Sequence, residues 1–199
     1  MAPHSASLTR TAQTDAPLLG VLAERWSPRS FDPDISVTDE QLGSLLEAAR
    51  WSPSASNTQP WRFVVARRGT PEFESVTAHL MGFNQAWAGS AAILIVALAE
   101  TVSAEGRPQK WASYDVGQAM AHLSVQAHHD GLHVHQMGGF EAEGLRAAFS
   151  IDPRFDVMTV SAVGVLAHAD ALPEPLRERE VAPRERKPLE ELLVVTATA

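Results

Sequence analysis

The chain has 199 residues, the length of one large domain with room for a real core, and its 45% hydrophobic and 20% charged composition is ordinary for a globular protein. A net charge of -8 argues against nucleic acid, whose binders carry a basic face, and the absence of cysteine excludes disulfides, thiolate nucleophiles and Cys-held metals. Any electron transfer must then rest on a bound cofactor. With no apolar signal core near the start and no run approaching the ~20 residues of a membrane span, a cytoplasmic protein is expected.

Residues 1–14 read as a flexible polar arm. The spacing of Leu18, Leu22 and Arg25 predicts a helix from about Asp15. Thr38-Asp39-Glu40-Gln41 has the pattern of a capping box, and Leu42, Leu45, Leu46 and Ala49 continue it as one helical face that stops before Pro53. Trp61-Arg62-Phe63-Val64-Val65 reads as a strand, and residues 71–82 as a short helix opened by Pro71. The unbroken apolar run over 91–99 marks a strand buried on both faces. After a polar loop over 100–110, a long helix is expected over 112–130, with Gly131 as its stop. A strand over 132–136, a helix over 141–149, a strand over 157–167 and a last strand over 192–195 complete the pattern. Helices and strands mix without fixed alternation, and no Gly-x-Gly-x-x-Gly follows a strand, so an α+β domain with a central sheet is expected rather than a dinucleotide-binding unit. The domain is expected over 15–172, with an extension over 173–199. There Glu174, Glu178, Glu180 and Glu185 interleave with the basic residues, which reads as a solvated tail carrying a few functional cations.

Two runs are denser in hydrogen-bonding groups than a turn requires. Arg25-Trp26-Ser27-Pro28-Arg29-Ser30-Phe31 offers two guanidinium forks and a hydroxyl, a set suited to a phosphate. Ser52-Pro53-Ser54-Ala55-Ser56-Asn57-Thr58-Gln59-Pro60-Trp61 offers hydroxyls and amides suited to a polar, planar ligand with many acceptors. The histidines His122, His128, His129, His133 and His135 do not form a metal set, because His129 and His133 straddle Gly131 and no carboxylate pattern completes a site. Trp111 and Phe83 are expected in the core rather than as substrate platforms.

In order and spacing, these runs resemble the nitroreductase family of FMN-dependent oxidoreductases. The likeness extends from Arg25 to about Pro188 and includes Trp111 with Asp115-x-Gly117-x-Ala119, Gly138-Gly139-Phe140 and Arg186-Lys187-Pro188-Leu189. It implies an α+β fold with a central mixed, mostly antiparallel sheet flanked by helices, in an intertwined homodimer with two FMN sites at the interface. On this resemblance Arg25 and Ser27, with Trp26 between them, would hold the phosphate, and Arg184 and Arg186 would return to it. Arg29 would lie near the N1–C2 edge of the flavin. Met137, Gly138 and Gly139 would pass beside N5, with Asn84 close by. Pro53, Ser54, Ala55, Ser56, Asn57 and Gln59 would reach the cofactor from the partner chain. Where many relatives carry a lysine three residues after that asparagine, this chain has Trp87. The implied activity is hydride transfer from NADH or NADPH to nitroaromatic or quinone-type acceptors by a ping-pong route. The alternatives are a specialised dehalogenating or flavin-fragmenting relative, or a non-catalytic FMN-binding redox sensor.

Overall fold

A computed structural model describes residues 10–195, so residues 1–9 of the arm and 196–199 of the extension lie outside the described residues. Four strands, β1 (Trp61–Arg67), β2 (Ile93–Glu100), β3 (His133–Met137) and β4 (Phe155–Gly164), form one sheet in the order β1-β2-β4-β3. Every described pair is antiparallel, with Trp61 opposite Ala99 at one end and His133 opposite Gly164 at the other. The mixed sheet expected from the resemblance is therefore wholly antiparallel within the described chain.

Alternation along β2 sorts the core into two layers, since successive side chains of a strand point to opposite faces. Leu94, Val96 and Leu98 pack with Phe31, Trp87, Leu145 and Leu176 on one face. Ile93, Ile95, Ala97 and Ala99 pack with Val116, Met120 and Leu123 on the other. Those last three belong to α5 (Ala112–His129), the long helix foreseen from its spacing, and Gly131 ends its C-terminal turn at φ +76°, where a side chain would be strained. Beside it lies α2 (Asp39–Arg50), whose capping box forms as expected. Thr38 Oγ1 accepts from the Gln41 backbone N–H at 3.1 Å, and Gln41 Oε1 accepts from the Thr38 N–H at 3.0 Å.

Three elements differ from expectation. The first helix, α1, spans only Gly20–Glu24; it buries Ala23 alone while Leu18, Leu19 and Leu22 stay exposed, so no packed face extends the helix back to Asp15. The helix α3 (Pro71–Ala78) stops early because Leu80 is buried and bridges Phe140, and Gly82 at φ +56° turns the chain into a 3-10 turn (Gly82–Asn84) and α4 (Gln85–Ala88). Leu189–Leu192 forms another 3-10 turn, and residues 193–195 run exposed with no strand to pair with. The short helices α6 (Ala142–Ala148) and α7 (Leu176–Val181) complete the described α-helices.

Candidate functional site

The Arg25 run leaves α1 in extended conformation and is held from behind by the extension. Arg29 and Ser30 donate their backbone N–H groups to the Glu180 carboxylate at 2.9–3.1 Å, and the Arg29 guanidinium lies 3.7 Å from it. Glu180 is 2% exposed, which overturns its reading as part of a solvated tail. Its burial is tolerable because backbone donors and a cation satisfy it. On the opposite side of the run, His135 Nδ1–H donates to the Pro28 carbonyl at 2.8 Å. Burial pushes the His135 pKa down to about 4, against the pull of that hydrogen bond, so the ring is neutral near pH 7.

Around Arg25 the cations converge. Arg184 donates to the carbonyls of Ala23 at 2.8 Å and Arg25 at 2.9 Å, and also to that of Arg10. Arg10 lies 4.4 Å over the Trp26 ring and donates to the carbonyls of Glu180 and Ala182. Burial first, and then Arg186, lowers the pKa of Arg25; burial, then Arg25, Arg186 and Arg10, lowers that of Arg184. Among the described residues no carboxylate pairs with Arg25, Arg184 or Arg186. Three guanidinium groups brought together without a counter-charge are what a dianionic phosphate needs. Ser27 is exposed at the same place, whereas the Trp26 side chain is buried under Arg10 and edge-on to His133.

Met137 is buried at the end of β3, and Gly138 follows it exposed, with open space where a side chain would stand. At Gly139 an added Cβ would come within 2.9 Å of Asn84 Nδ2, and that amide donates to the Gly139 carbonyl at 3.1 Å. A side chain there would have to displace that amide. Trp87 packs in the core against Phe31 and His135, at ring separations of 6.1 and 4.6 Å. It offers the site no charge.

The second motif stands apart. Ser56, Asn57 and Gln59 all take positive φ, at 51°, 55° and 49°. Asparagine tolerates that region, but serine and glutamine seldom visit it, and the strain is of order 1 kcal/mol or more per residue. Asp115 of α5, 2% exposed, accepts from the Ala55 backbone N–H at 3.0 Å, and Ser54 Oγ accepts from the Gln59 N–H at 3.1 Å. The side chains of Pro53, Ser56, Asn57 and Gln59 face solvent. Alongside is an open cleft of about 420 Å³ between Ala55, Ser56 and Thr58 and the 103–112 stretch. Trp111 and Phe83, expected in the core, are 54% and 56% exposed.

The sheet register keeps the two motifs apart within one chain. The Arg25 run adjoins His133 at one end of β3; the second motif enters β1 at Trp61, on the other edge and at the other end. Three strand spacings and seven residues of rise separate those corners, roughly 14 Å across by 23 Å along. The described chain brings together Arg25, Ser27, Arg29, Arg184 and Arg186, and separately Asn84, Gly138 and Gly139. It does not bring the 53–59 segment to either group. Two further participants, Arg10 and Glu180, escape the sequence reading because their partners lie 150 or more residues away. A carboxylate on the face of α7 shared with buried Leu176 is the one local signal for Glu180.

Among the described residues no group of three or more His, Asp or Glu side chains is placed to hold a metal ion, and no helix is long and apolar enough to cross a membrane. Comparison with known proteins extends these observations. A solved structure of an oxidoreductase containing FMN matches 98% of this chain and 99% of its own, at 35% identity and a TM-score of 0.89. A protein from Desulfovibrio desulfuricans crystallised in complex with FMN matches 94% of this chain and 100% of its own, at 26% identity and a TM-score of 0.75. The Major NAD(P)H-flavin oxidoreductase of Aliivibrio fischeri is 43% identical over 71 residues, which cover 35% of this chain and only 33% of that relative. The sequence model of the Nitroreductase family matches residues 22–165, well over half of the chain, and with the fold above it establishes that this protein belongs to the nitroreductase family.

Proposed function

We propose that this protein is an FMN-dependent NAD(P)H oxidoreductase that works as a homodimer, taking hydride from NADH or NADPH and passing it to nitroaromatic or quinone-type acceptors in a ping-pong cycle. The observation that carries this reading is the convergence of Arg25, Arg184 and Arg186 without a carboxylate partner among the described residues. The FMN-containing structural relatives and the NAD(P)H-flavin oxidoreductase relative support it.

The residues fit FMN. Arg25, Ser27, Arg184 and Arg186 hold a terminal phosphate of about -1.5 to -2 charge, each charged hydrogen bond contributing roughly 1.5–3 kcal/mol. Bound FMN supplies the two-electron chemistry of its ring. Arg29, braced by Glu180, places positive charge where reduction builds negative charge, which is the differential contact that favours a reduced state. Gly138 exposes a backbone unencumbered by a side chain, so a planar ring can approach it closely. The 53–59 segment, remote from this group in its own chain, serves the site of the partner subunit.

Absorption spectra of the purified protein, with calorimetry of FMN, riboflavin and FAD, test the reading. FMN is expected to bind at least tenfold more tightly than riboflavin, by the loss of phosphate contacts. NAD(P)H oxidation is expected only when both flavin and a nitroaromatic or quinone acceptor are present. FAD binding as tight as FMN, or flavin-loaded protein that turns over no acceptor, would overturn it.

A further inference from the structure

α7 faces two ways. Glu180 points inward and is buried against the Arg29 backbone, while its neighbour Arg179 is exposed and lies 5.3 Å over the centre of the Phe83 ring. Phe83 is 56% exposed, so the ring face that carries the guanidinium is open to solvent. Its turn is fixed to the loop after β3: the Met81 N–H donates to the Gly139 carbonyl at 3.0 Å, and Asn84 Nδ2 donates to the same oxygen at 3.1 Å. The turn that carries Phe83 is therefore tied to Gly139. The other basic residue of this helix, Arg177, is engaged by Glu174 and Asp170. Among the described residues Arg179 meets no carboxylate, although Glu178 adjoins it in sequence.

A guanidinium over an aromatic ring gains roughly 0.5–1 kcal/mol at an exposed site and keeps N–H donors free for a carboxylate. The buried Glu180 fixes the backbone at the next residue, so the base of the Arg179 side chain is held before any ligand arrives. In a chain of net charge -8, an anionic ligand needs such a local cation to approach.

We propose that Arg179 and Phe83 form the acceptor subsite, and that this subsite selects flat aromatic acceptors carrying a carboxylate. The proposal rests on the reading that Gly138 and Gly139 lie beside FMN, and it names the substrate class of that site.

The test uses FMN-loaded protein and two matched pairs of probes. Calorimetry compares benzoate with benzamide, which are not reduced. Steady-state kinetics compare 4-nitrobenzoate with 4-nitrobenzamide. The wild type is expected to prefer the anion in both pairs. In Arg179→Gln the benzoate-to-benzamide affinity ratio is expected to fall about tenfold, and the ratio of kcat/KM values to fall with it through KM, as loss of one partly solvated charged contact predicts. Arg177→Gln, which removes the same net charge two residues away, is expected to leave both ratios within about twofold. Ratios unmoved by Arg179→Gln, equal shifts in the two variants, or a wild type that does not bind benzoate would each overturn the proposal. If neither nitro compound is reduced, the oxidoreductase reading fails while the benzoate titration still decides the role of Arg179.

Discussion

The two motif regions are built in opposite ways. Around Arg25 the chain has finished its work: Arg184 and Arg10 are locked onto carbonyls, and Glu180 braces the backbone from a buried position. The 53–59 segment is held by Asp115, by Arg62 on the Gln59 carbonyl and by bonds within itself, keeps three residues at positive φ, and turns its polar side chains to solvent. A pocket that assembles within one chain can be rigid before its ligand arrives. A strained, exposed loop at the far corner of the sheet is the kind of element that the proposed role in the partner's site would use.

The sharpest way to break this comparison is to separate the regions genetically. Arg25→Glu is expected to lower FMN affinity by about 100-fold or more, since it turns an attractive charged contact into a repulsive one. A second variant, Asn57→Trp, is expected to block the partner's site while leaving its own cation cluster intact. If the loop acts in trans, co-expressing the two should restore FMN to roughly a quarter of the sites, because half of randomly paired dimers are mixed and each has one intact site. Flavin content of the purified mixture measures this. A mixture no better than its parents would show that the loop serves its own chain.

Glu180→Ala probes the finished region alone. It leaves the buried Ser30 N–H, the partly buried Arg29 N–H and a guanidinium without their acceptor, and is expected to cost about 3 kcal/mol in urea unfolding, whereas exposed Glu178→Ala should cost less than about 0.5 kcal/mol. Similar costs for the two would remove Glu180 from its bracing role.

Acid probes the same side of the sheet. Burial lowers His133 and His135 to about 4, so the folded state keeps both rings neutral while the unfolded chain protonates near 6.5. The unfolded state therefore binds more protons between those values. Stability should be full above about pH 6.5, fall as pH drops toward 4, and fall no further from these groups below that, with each ring contributing on the order of 3 kcal/mol. His135→Gln should flatten the decline, and an unchanged slope would mean that His135 titrates alike in both states.

Arg29→Ala sharpens the division of labour among the arginines. The phosphate keeps its charge during reduction, but the ring edge does not, so this variant should retain flavin and show a midpoint potential more negative by roughly 30 mV. Glu180 already offsets part of the Arg29 charge, which holds the shift to that size. An unchanged potential with sharply weaker FMN binding would exchange the roles of Arg25 and Arg29. The smallest effect belongs to the loop. Ser56→Gly relieves a positive φ and should stabilise the free chain by up to about 1 kcal/mol, while weakening FMN binding through loss of the hydroxyl. Destabilisation instead would show that the loop is not strained at Ser56.

Much of the architecture was legible because it is written locally. The unbroken apolar run of β2, the Thr38–Gln41 box and the 3.6-residue spacing of α5 each express a rule that operates within a few residues. The elements that differed lacked such local support: α1 has no buried face to extend it, and Leu80 left the helix because a contact with Phe140 outweighed propensity. Phe83 and Trp111 read as core by composition, yet hydrophobicity alone does not say which side of an element meets the interior.

The sequence by itself determined the residue types of the site and their order, because guanidinium forks, hydroxyls and bare glycines have chemistry that does not depend on context. Tertiary structure alone decided which of them meet. Glu180 reads as one more charge in a solvated tail until the fold carries it 151 residues back to Arg29, where backbone donors make its burial possible. The sheet register, likewise, sends the two motifs to opposite corners. Such contacts are selected by the summed packing of the whole core, and no window of sequence contains that sum.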